Sequence, residues 1–277
     1  MARSLAQKLS EALGQQVIVD NRAGGGGVIA AVIGKEAPAD GYTIFFGTIS
    51  TLATNVAVNS KLPYEPLRDF APITMTSTNP YFLVTHPSVA ANSVKEFIAL
   101  ARAKPGQLNY ASSGTGGGSH LAGALFLSLA KIELVHVPYK GAAQSVTDLI
   151  GGQIHSTFTQ PATTLAHAKA GKLKVLGVTG KKRLVSWQDA PPIADTVPGY
   201  ESASWQGVVA PAQTPKPIID RLHREIVIAL NSSELRRRLL AEGSEIGGMP
   251  PEEFGVYIRS EIAKWSKVVR EANIKVD

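Results

Sequence analysis

The sequence contains no cysteine. This absence excludes disulfide-bonded scaffolds, thiolate zinc sites and cysteine nucleophiles. Long hydrophobic runs are absent too: the longest, Val28–Ile33, is far shorter than the roughly 20 residues that a membrane-spanning helix needs. Charged residues make up only 18% of the chain and hydrophobic residues 44%, which excludes general disorder. The 277 residues therefore predict one large folded domain or two of ordinary size.

Positive charge is unevenly distributed along the chain. Residues 85–204 hold eleven lysines and arginines against six acidic residues, whereas residues 1–84 and 205–277 are nearly neutral. A basic central region can attract an anionic ligand or face an acidic partner, although an ordinary solvated lysine surface explains the same count. The basic residues are not interleaved with aromatic residues, and the motifs of RNA-binding sheets and zinc fingers are missing. We therefore do not expect nucleic acid as a partner.

The chain begins with alternating helix and strand patterns. Leucines every four residues predict a helix over Arg3–Leu13, and Gln16–Asp20 is typical of a short buried strand. Val28–Ala37 and Tyr42–Phe46 predict a second helix and strand. Such alternation favours parallel pairing with right-handed crossovers. Because the pattern starts on a helix, we expect the first sheet to lack its leading strand.

The alternation resumes after a long extended stretch that ends at Val84. Ser93 is a candidate helix cap, and the following residues predict about four strands, which we place at 108–111, 134–137, 154–159 and 174–179. A last strand is predicted over Trp205–Ala210, and three helices follow it, the first capped by Thr214. This organisation predicts an α/β protein with two lobes and two crossover strands. Lobe 1 is residues 1–84 with 205–277, and lobe 2 is residues 85–204.

The most distinctive segment is the glycine-rich stretch Tyr110–His120, which runs from a predicted strand into a predicted helix. Glycines bring backbone N–H groups close to a ligand, and hydroxyls add hydrogen bonds. The spacing fails the dinucleotide fingerprint and no Gly-Lys-Ser/Thr follows, so a carboxylate or small anion is favoured over a nucleotide. A flexible capping loop is the alternative. The ligand-binding candidates here are Ser112, Ser113, Thr115, Gly116 and Ser119.

Other candidates follow other predicted strands. Ligands of such sheets bind beyond the carboxyl ends of the strands, which predicts a cleft between the two lobes. Thr48 and Thr51 follow the strand Tyr42–Phe46 and are expected to form the opposite wall. Weaker candidates are Tyr139, Thr159 and Gln160.

The sequence gives little support for a catalytic or metal-binding function. No Gly-x-Ser-x-Gly elbow occurs, and the six histidines lack the spacing of a metal site, so each is interpreted as structural or exposed. No acidic residue is close to the glycine-rich segment in sequence, so paired-carboxylate catalysis is not indicated. We predict no catalytic residue, no metal and no cofactor. Two alternatives stay open: an α/β enzyme that uses the glycine-rich loop as an anion or oxyanion site, and a ligand-sensing partner protein.

Over essentially its whole length the chain resembles the Bug-type receptors, the extracytoplasmic solute-binding proteins of tripartite tricarboxylate transporters. The matching stretches occur in order along the chain: Leu9–Gln15, Asp20–Gly24, Pro38–Tyr42, Leu62–Tyr64, Asp69–Pro72, Leu108–Ser112, Ser119–Gly123, His136–Gly141, Asp148–Gln153, Pro198–Tyr200, Ala210–Pro211 and Thr214–Ile218.

The resemblance implies a periplasmic receptor of the type II, Venus-flytrap architecture. Such a protein is not an enzyme; it captures a small organic carboxylate and presents it to membrane permease subunits, and we expect it to be a monomer. The family normally starts with a signal peptide, a strand and a Pro-Gly-Gly loop, so the resemblance implies an N-terminal truncation. His155 stands where the family usually has Asp, and neutral Thr159 where an acidic or amide residue is common. We therefore expect a ligand without an ammonium group.

Overall fold

The computed structural model describes residues 1–22, 24–241 and 243–274. They form two compact α/β units. The first unit comprises Met1–Thr78 and Trp205–Lys267, and the second comprises Asn79–Ser204 and the end of the chain from Val268. Among the helices described, none combines the length and the apolar character that a membrane span requires.

The α-helices are numbered in chain order. They are α1 (Ala2–Leu13), α2 (Val28–Glu36), α3 (Asn55–Val58), α4 (Pro66–Asp69), α5 (Val94–Ala103), α6 (Gly118–Ala130), α7 (Ala142–Ile150), α8 (Pro161–Lys169), α9 (Lys216–Leu230), α10 (Ser233–Ala241) and α11 (Pro251–Glu271). The strands are β1 (Phe45–Thr48), β2 (Phe70–Pro80), β3 (Phe82–Thr85), β4 (Asn109–Ser112), β5 (Val135–Pro138), β6 (Ser156–Thr159), β7 (Lys174–Val178), β8 (Ala203–Pro211) and β9 (Glu245–Ile246).

Amphipathic helices build the core of the first unit. Leu5 and Leu9 of α1 lie in one buried cluster with Leu222 and Ile226 of α9. The four-residue leucine period predicted α1, and the helix ends as expected at Gly14, whose φ of 66° is in the left-handed region. Burial of one helix face therefore explains why these local patterns identified their elements correctly.

The sheet of the first unit differs from the parallel arrangement that the sequence predicted. Its strand order is β1-β8-β2-β9, with β1 antiparallel to β8 and β2 antiparallel to β9. The predicted strand Gln16–Asp20 is absent from the structure described here. The Val17 N–H donates to Ser10 Oγ at 2.8 Å, and Ile18 is 77% exposed. The Ser10 side chain of α1 thus accepts a backbone N–H that would otherwise pair with a neighbouring strand.

Two local predictions in this unit also need correction. The strand predicted from Tyr42 begins only at Phe45, because Asp40 Oδ1 accepts the Tyr42 N–H at 3.0 Å and closes a turn. Thr214 does not cap α9: Pro215 holds the N-cap position, and Thr214 Oγ1 is buried without a hydrogen-bond partner among the described residues.

The second unit is built on a five-stranded mixed sheet of order β5-β4-β6-β3-β7. Strand β4 is parallel to β5 and β6, whereas β3 is antiparallel to β6 and β7. The sequence predicted about four strands, and the fifth is β3, the end of the long extended stretch. Helix α5 begins as predicted after Ser93, whose side chain accepts the Glu96 N–H at 3.2 Å.

Strands β2 and β8 connect the units. Most of each strand belongs to the first unit, while Asn79 and Pro80 of β2 and Ala203 and Ser204 of β8 belong to the second. These are the two crossover strands that the sequence predicted.

Candidate functional site

One edge of the second unit's sheet collects three helix N-termini. Because β4, β5 and β6 are parallel, their carboxyl ends lie at the same edge, and each leads through a short loop into α6, α7 or α8. We call this the parallel edge and define it as residues 112–120, 138–143 and 159–163. Within the described chain, no side chain caps the first turn of any of these three helices. The first N–H groups of α6 and α7 and the partial positive charges of all three helices are therefore suited to an anion, while α8 begins at Pro161, which has no N–H.

The glycine-rich loop, residues 113–117, joins β4 to α6 at this edge. Gly116 has a φ of 74°, a conformation that residues with a Cβ rarely adopt. The Gly117 N–H donates to the Gly114 carbonyl at 3.2 Å, which closes a tight turn. The side chains of Ser113 and Thr115 are exposed on this loop. Two of the side chains selected from the sequence are thus accessible beside a helix N-terminus, and Ser113 Oγ also hydrogen-bonds with Ser119 Oγ at 2.9 Å.

The other two selected serines are buried and hydrogen-bond within the loop. Ser119 Oγ accepts the Ser113 N–H at 2.9 Å. Ser112 Oγ accepts the Gly114 N–H and donates to the Gly114 carbonyl, both at 3.2 Å. Their geometry fits residues that shape the loop.

Two histidines that the sequence analysis did not select also contact this loop. His120 Nδ1 accepts the Gly116 N–H at 3.0 Å, and His136 Nε2 lies 2.7 Å from Ser112 Oγ. The two imidazole rings are stacked, with centroids 3.8 Å apart and an interplanar angle of 2°. Burial, with a smaller contribution from His136, lowers the pKa of His120 to about 4, and burial also lowers the pKa of His136. Sixteen residues separate them on different elements, so no local spacing could indicate the pair.

The first residue of α6, Gly118, is held against Tyr81. A Cβ atom at Gly118 would overlap the Tyr81 hydroxyl oxygen. Tyr81 is buried, its backbone N–H donates to Thr179 Oγ1 at 2.7 Å, and burial raises the pKa of its hydroxyl to about 12. Only glycine therefore allows the helix to start in this position.

Tyr139 follows β5 at the parallel edge. Its N–H donates to the Ser112 carbonyl at 3.0 Å, and its hydroxyl donates to Asp148 Oδ2 at 2.7 Å. Burial and this carboxylate raise the pKa of Tyr139 to about 12. Lys140, the next residue, is exposed and was not selected from the sequence. Its place just before a helix N-terminus is the signal that could have identified it.

Thr159 and Gln160 lie at the end of β6 on the same edge. Thr159 is buried and its Oγ1 hydrogen-bonds with Thr163 Oγ1 at 2.8 Å, whereas Gln160 is exposed. At α7, Ala143 is exposed in the first helical turn. The structure therefore brings all eight candidates of the second unit to one sheet edge.

Thr48 and Thr51 belong to the first unit and lie at the end of β1. Thr51 is buried; its Oγ1 accepts the Thr48 N–H at 2.9 Å and donates to the Thr48 carbonyl at 3.1 Å. Tyr64 donates its hydroxyl to the Thr51 carbonyl at 2.7 Å. A role of the two threonines in ligand binding stays a prediction of the sequence.

His155 lies away from this edge. Its backbone N–H donates to Asn109 Oδ1 at 2.7 Å, and its Nδ1 accepts the Asn109 N–H at 3.2 Å. Asn109 is the first residue of β4 and Ser156 the first of β6, so His155 lies at the amino ends of the parallel strands. The argument from His155 about the ligand is therefore wrong. Among the described residues, no group of three or more His, Asp or Glu could hold a metal ion.

Two α/β units with two crossover strands, and an edge of hydroxyls and helix N-termini, are the features of a solute-binding protein. Residues 1–274 match the model of the TctC family, described as the tripartite tricarboxylate transporter family receptor, and the chain belongs to this family. It is therefore a receptor of the extracytoplasmic solute-binding class and not an enzyme.

Individual relatives match this chain along essentially its full length. Protein BugT of Bordetella pertussis is 34% identical over 278 residues, which cover 100% of this chain and 85% of BugT. The R. palustris protein Rpa4515, solved with adipate, has a TM-score of 0.82 at 37% identity, covering 99% of this chain and 92% of that one. MatC (Rpa3494) from Rhodopseudomonas palustris, solved with bound malate, has a TM-score of 0.77 at 28% identity, covering 97% and 92%. The predicted Bug-type family is confirmed.

Proposed function

We propose that this protein is a periplasmic receptor that binds a small organic carboxylate at the parallel edge and delivers it to the permease subunits of a tripartite tricarboxylate-type transporter. The observation that carries the proposal is the meeting of three uncapped helix N-termini with the exposed hydroxyls of Ser113 and Thr115. The adipate and malate bound to the two Rhodopseudomonas relatives support a carboxylate ligand. Residues 112–120 supply the main contacts, and Tyr139, Thr159 and Gln160 complete the edge.

The chemistry of the edge fits a carboxylate. A hydrogen bond from a neutral donor to a charged oxygen contributes about 1.5–3 kcal/mol, and each helix N-terminus adds about 0.3–1 kcal/mol toward an anion. Lys140 places a positive charge in the loop before α7. Each of these groups can donate a hydrogen bond or carries positive charge, so together they favour an acceptor-rich anion.

We further infer that the ligand carries no ammonium group. A desolvated ammonium needs an acidic partner or several acceptors. The carboxylate that contacts the edge, Asp148, already accepts the Tyr139 hydroxyl at 2.7 Å, and Thr159 and Gln160 are neutral. The net positive charge of residues 85–204 also repels a cation.

Isothermal titration with adipate, malate and aspartate tests both statements. We expect saturable micromolar binding of adipate or malate, weaker binding of aspartate, and no conversion of any ligand. Turnover of a ligand would contradict the receptor role, and preference for aspartate would contradict the inference about the ammonium group. Size-exclusion chromatography with and without ligand checks the expected monomer.

A further inference from the structure

The glycine-rich loop is held by two imidazole rings, and the protonation state of one of them follows from its partner. Gly116 can only donate through its N–H, so His120 Nδ1, 3.0 Å away, carries the lone pair. The single ring proton of neutral His120 is therefore on Nε2. A second proton on Nδ1 would face the Gly116 N–H donor and remove this hydrogen bond.

The second ring hydrogen-bonds with Ser112. The Ser112 hydroxyl has one proton, for which the Gly114 carbonyl at 3.2 Å and His136 Nε2 are both within reach. Its oxygen accepts the Gly114 N–H at 3.2 Å and lies 2.7 Å from His136 Nε2. This contact with His136 is the shortest at Ser112 Oγ, and either atom can supply its proton. One histidine thus accepts from the loop, and the other hydrogen-bonds with the residue that precedes it.

Stacking makes the two rings a unit. At a centroid separation of 3.8 Å two charged imidazolium rings would repel each other strongly, so the stack favours neutral rings. Tyr110 of β4 is the titratable side chain packed against both, with ring centroids 5.0 Å from His136 and 6.4 Å from His120, and burial raises its pKa. Asp148 of α7 contacts this region through Tyr139. Among the described groups, only His136 shifts the pKa of His120 by its charge.

We propose that His120 and His136 are positioning residues that hold the glycine-rich loop in the shape required to bind the carboxylate. They act through Gly116 and Ser112 and do not contact the ligand themselves. This inference rests on the function proposed above. A glycine-rich loop loses much conformational entropy when it becomes ordered. The two histidines explain how this loop nevertheless keeps Ser113 and Thr115 in a fixed place beside α6.

The test uses paired variants on the full chain. His120→Ala removes the acceptor, whereas His120→Asn keeps an acceptor oxygen close to the position of Nδ1. His136→Ala removes the hydrogen bond to Ser112, whereas the amide of His136→Gln can still form one. His86→Ala is the matched control, because His86 hydrogen-bonds with Ser88 and does not contact the loop.

Two measurements separate the inference from the proposed function. Hydrogen exchange of the Gly116 amide is followed by NMR without ligand, and adipate affinity is followed by titration at pH 7. We expect the alanine variants to exchange Gly116 faster and to bind adipate about 10-fold more weakly, while the Asn, Gln and His86 variants stay within about 3-fold of the native protein. The ratio of native to His120→Asn affinity should also fall below pH 5, since the titration of adipate itself cancels in this ratio.

Unchanged Gly116 exchange in His120→Ala would overturn the inference whatever the ligand does. Faster exchange with unchanged adipate affinity would also overturn it, because the loop shape would not matter for binding. If the native protein binds no carboxylate at all, the proposed function fails, and the exchange data alone still decide whether the histidines hold the loop. If an alanine variant does not fold, the pH dependence of the His120→Asn ratio decides the question.

Discussion

The two units use hydroxyl groups in opposite ways. In the first unit, the hydroxyl of buried Thr51 is bonded to the N–H and the carbonyl of Thr48. In the second unit, histidines and buried serines hold the loop backbone, and the hydroxyls of Ser113 and Thr115 are exposed. A hydroxyl-rich segment is therefore free to contact a ligand only where other groups hold its backbone.

The sheets explain where such a segment can occur. Parallel strands β5, β4 and β6 bring three helix N-termini to one edge of the second unit. In the first unit, β1 is antiparallel to β8, so the ends of neighbouring strands point in opposite directions. Among the described strands, the positive ends of helices consequently accumulate at the edge of the second unit's parallel section.

The largest difference between the units is expected in acid. An ordinary histidine has a pKa of about 6.5, so the unfolded chain takes up a proton there, whereas folded His120 does so only near its pKa of about 4. Above pH 6.5 this difference in pKa therefore contributes about 3 kcal/mol to the free energy of unfolding, and the contribution is lost as the pH falls toward 4. Burial of His136 acts in the same direction. The first unit contains a single histidine, His223, and should lose less.

Urea unfolding at pH 7 and pH 4.5 measures this difference. Trp187 lies in the second unit and Trp205 and Trp265 in the first, so fluorescence of the Trp187→Phe protein reports the first unit and its difference from the native signal reports the second. His120→Asn is the control and should flatten the pH dependence of the second unit. Equal acid sensitivity of both units would remove the histidine pair as the cause.

The next largest effect is expected at Gly118. Gly118→Ala should lower the free energy of unfolding by about 2–3 kcal/mol, because the new Cβ overlaps the Tyr81 hydroxyl. Adding Tyr81→Phe should recover most of this loss, since the next atom, Cζ, is 3.3 Å from the Cβ position. Gly151→Ala is the matched control, with its nearest contacts at 3.6 Å. If the double variant is no more stable than Gly118→Ala, the contact with Tyr81 does not matter.

Substitution of a hydroxyl residue is expected to change ligand affinity in the second unit and stability in the first. Thr115→Ala should weaken adipate binding by about 1.5–2 kcal/mol and leave thermal unfolding unchanged, because its side chain is exposed. Ser113→Ala should weaken binding similarly and also lower stability by about 0.5–1.5 kcal/mol, because buried Ser119 Oγ loses a hydrogen-bond partner. Thr51→Val should lower stability by about 1–2 kcal/mol, because the Thr48 N–H loses its acceptor. Calorimetry and thermal unfolding of the three variants test this. A loss of affinity in folded Thr51→Val would instead support the sequence prediction that Thr51 binds the ligand.

The smallest effect is expected at Lys140. Lys140→Gln should slow carboxylate association about twofold at low ionic strength and have no effect at high salt, because an exposed charge acts by long-range attraction. Stopped-flow measurement of association at two salt concentrations checks this, with Lys61→Gln in the first unit as the control. A loss that persists at high salt would indicate direct contact with the ligand.

The parts of the fold that could be predicted are those encoded locally. Helix α1 was predicted at Arg3–Leu13 and is observed at Ala2–Leu13, because its buried Leu5 and Leu9 lie on one face before Gly14. Strand pairing was not predictable in the first unit, because β1 pairs with β8, more than 150 residues later in the chain. Gln16–Asp20 has the short apolar run of a buried strand, but such a run alone does not show whether a pairing partner exists.

Of the candidate site, too, only the locally encoded part could be predicted. Strand, glycine-rich loop and helix are consecutive in sequence, so the loop and its hydroxyls could be identified. The supports of the loop could not, because His120 stacks on His136, and Tyr81 lies against Gly118, only after distant parts of the chain have come together. Whether a serine is exposed like Ser113 or buried like Ser112 depends on these distant contacts.

Ala143, exposed in the first turn of α7, makes the molecule suited to conversion into an optical sensor. Since the native chain has no cysteine, Ala143→Cys would provide the single thiol for a fluorescent dye. The dye would sit beside the loops of the parallel edge without replacing any proposed ligand contact. A change in its emission on adding adipate would turn a transport receptor into a reagentless reporter of dissolved carboxylates.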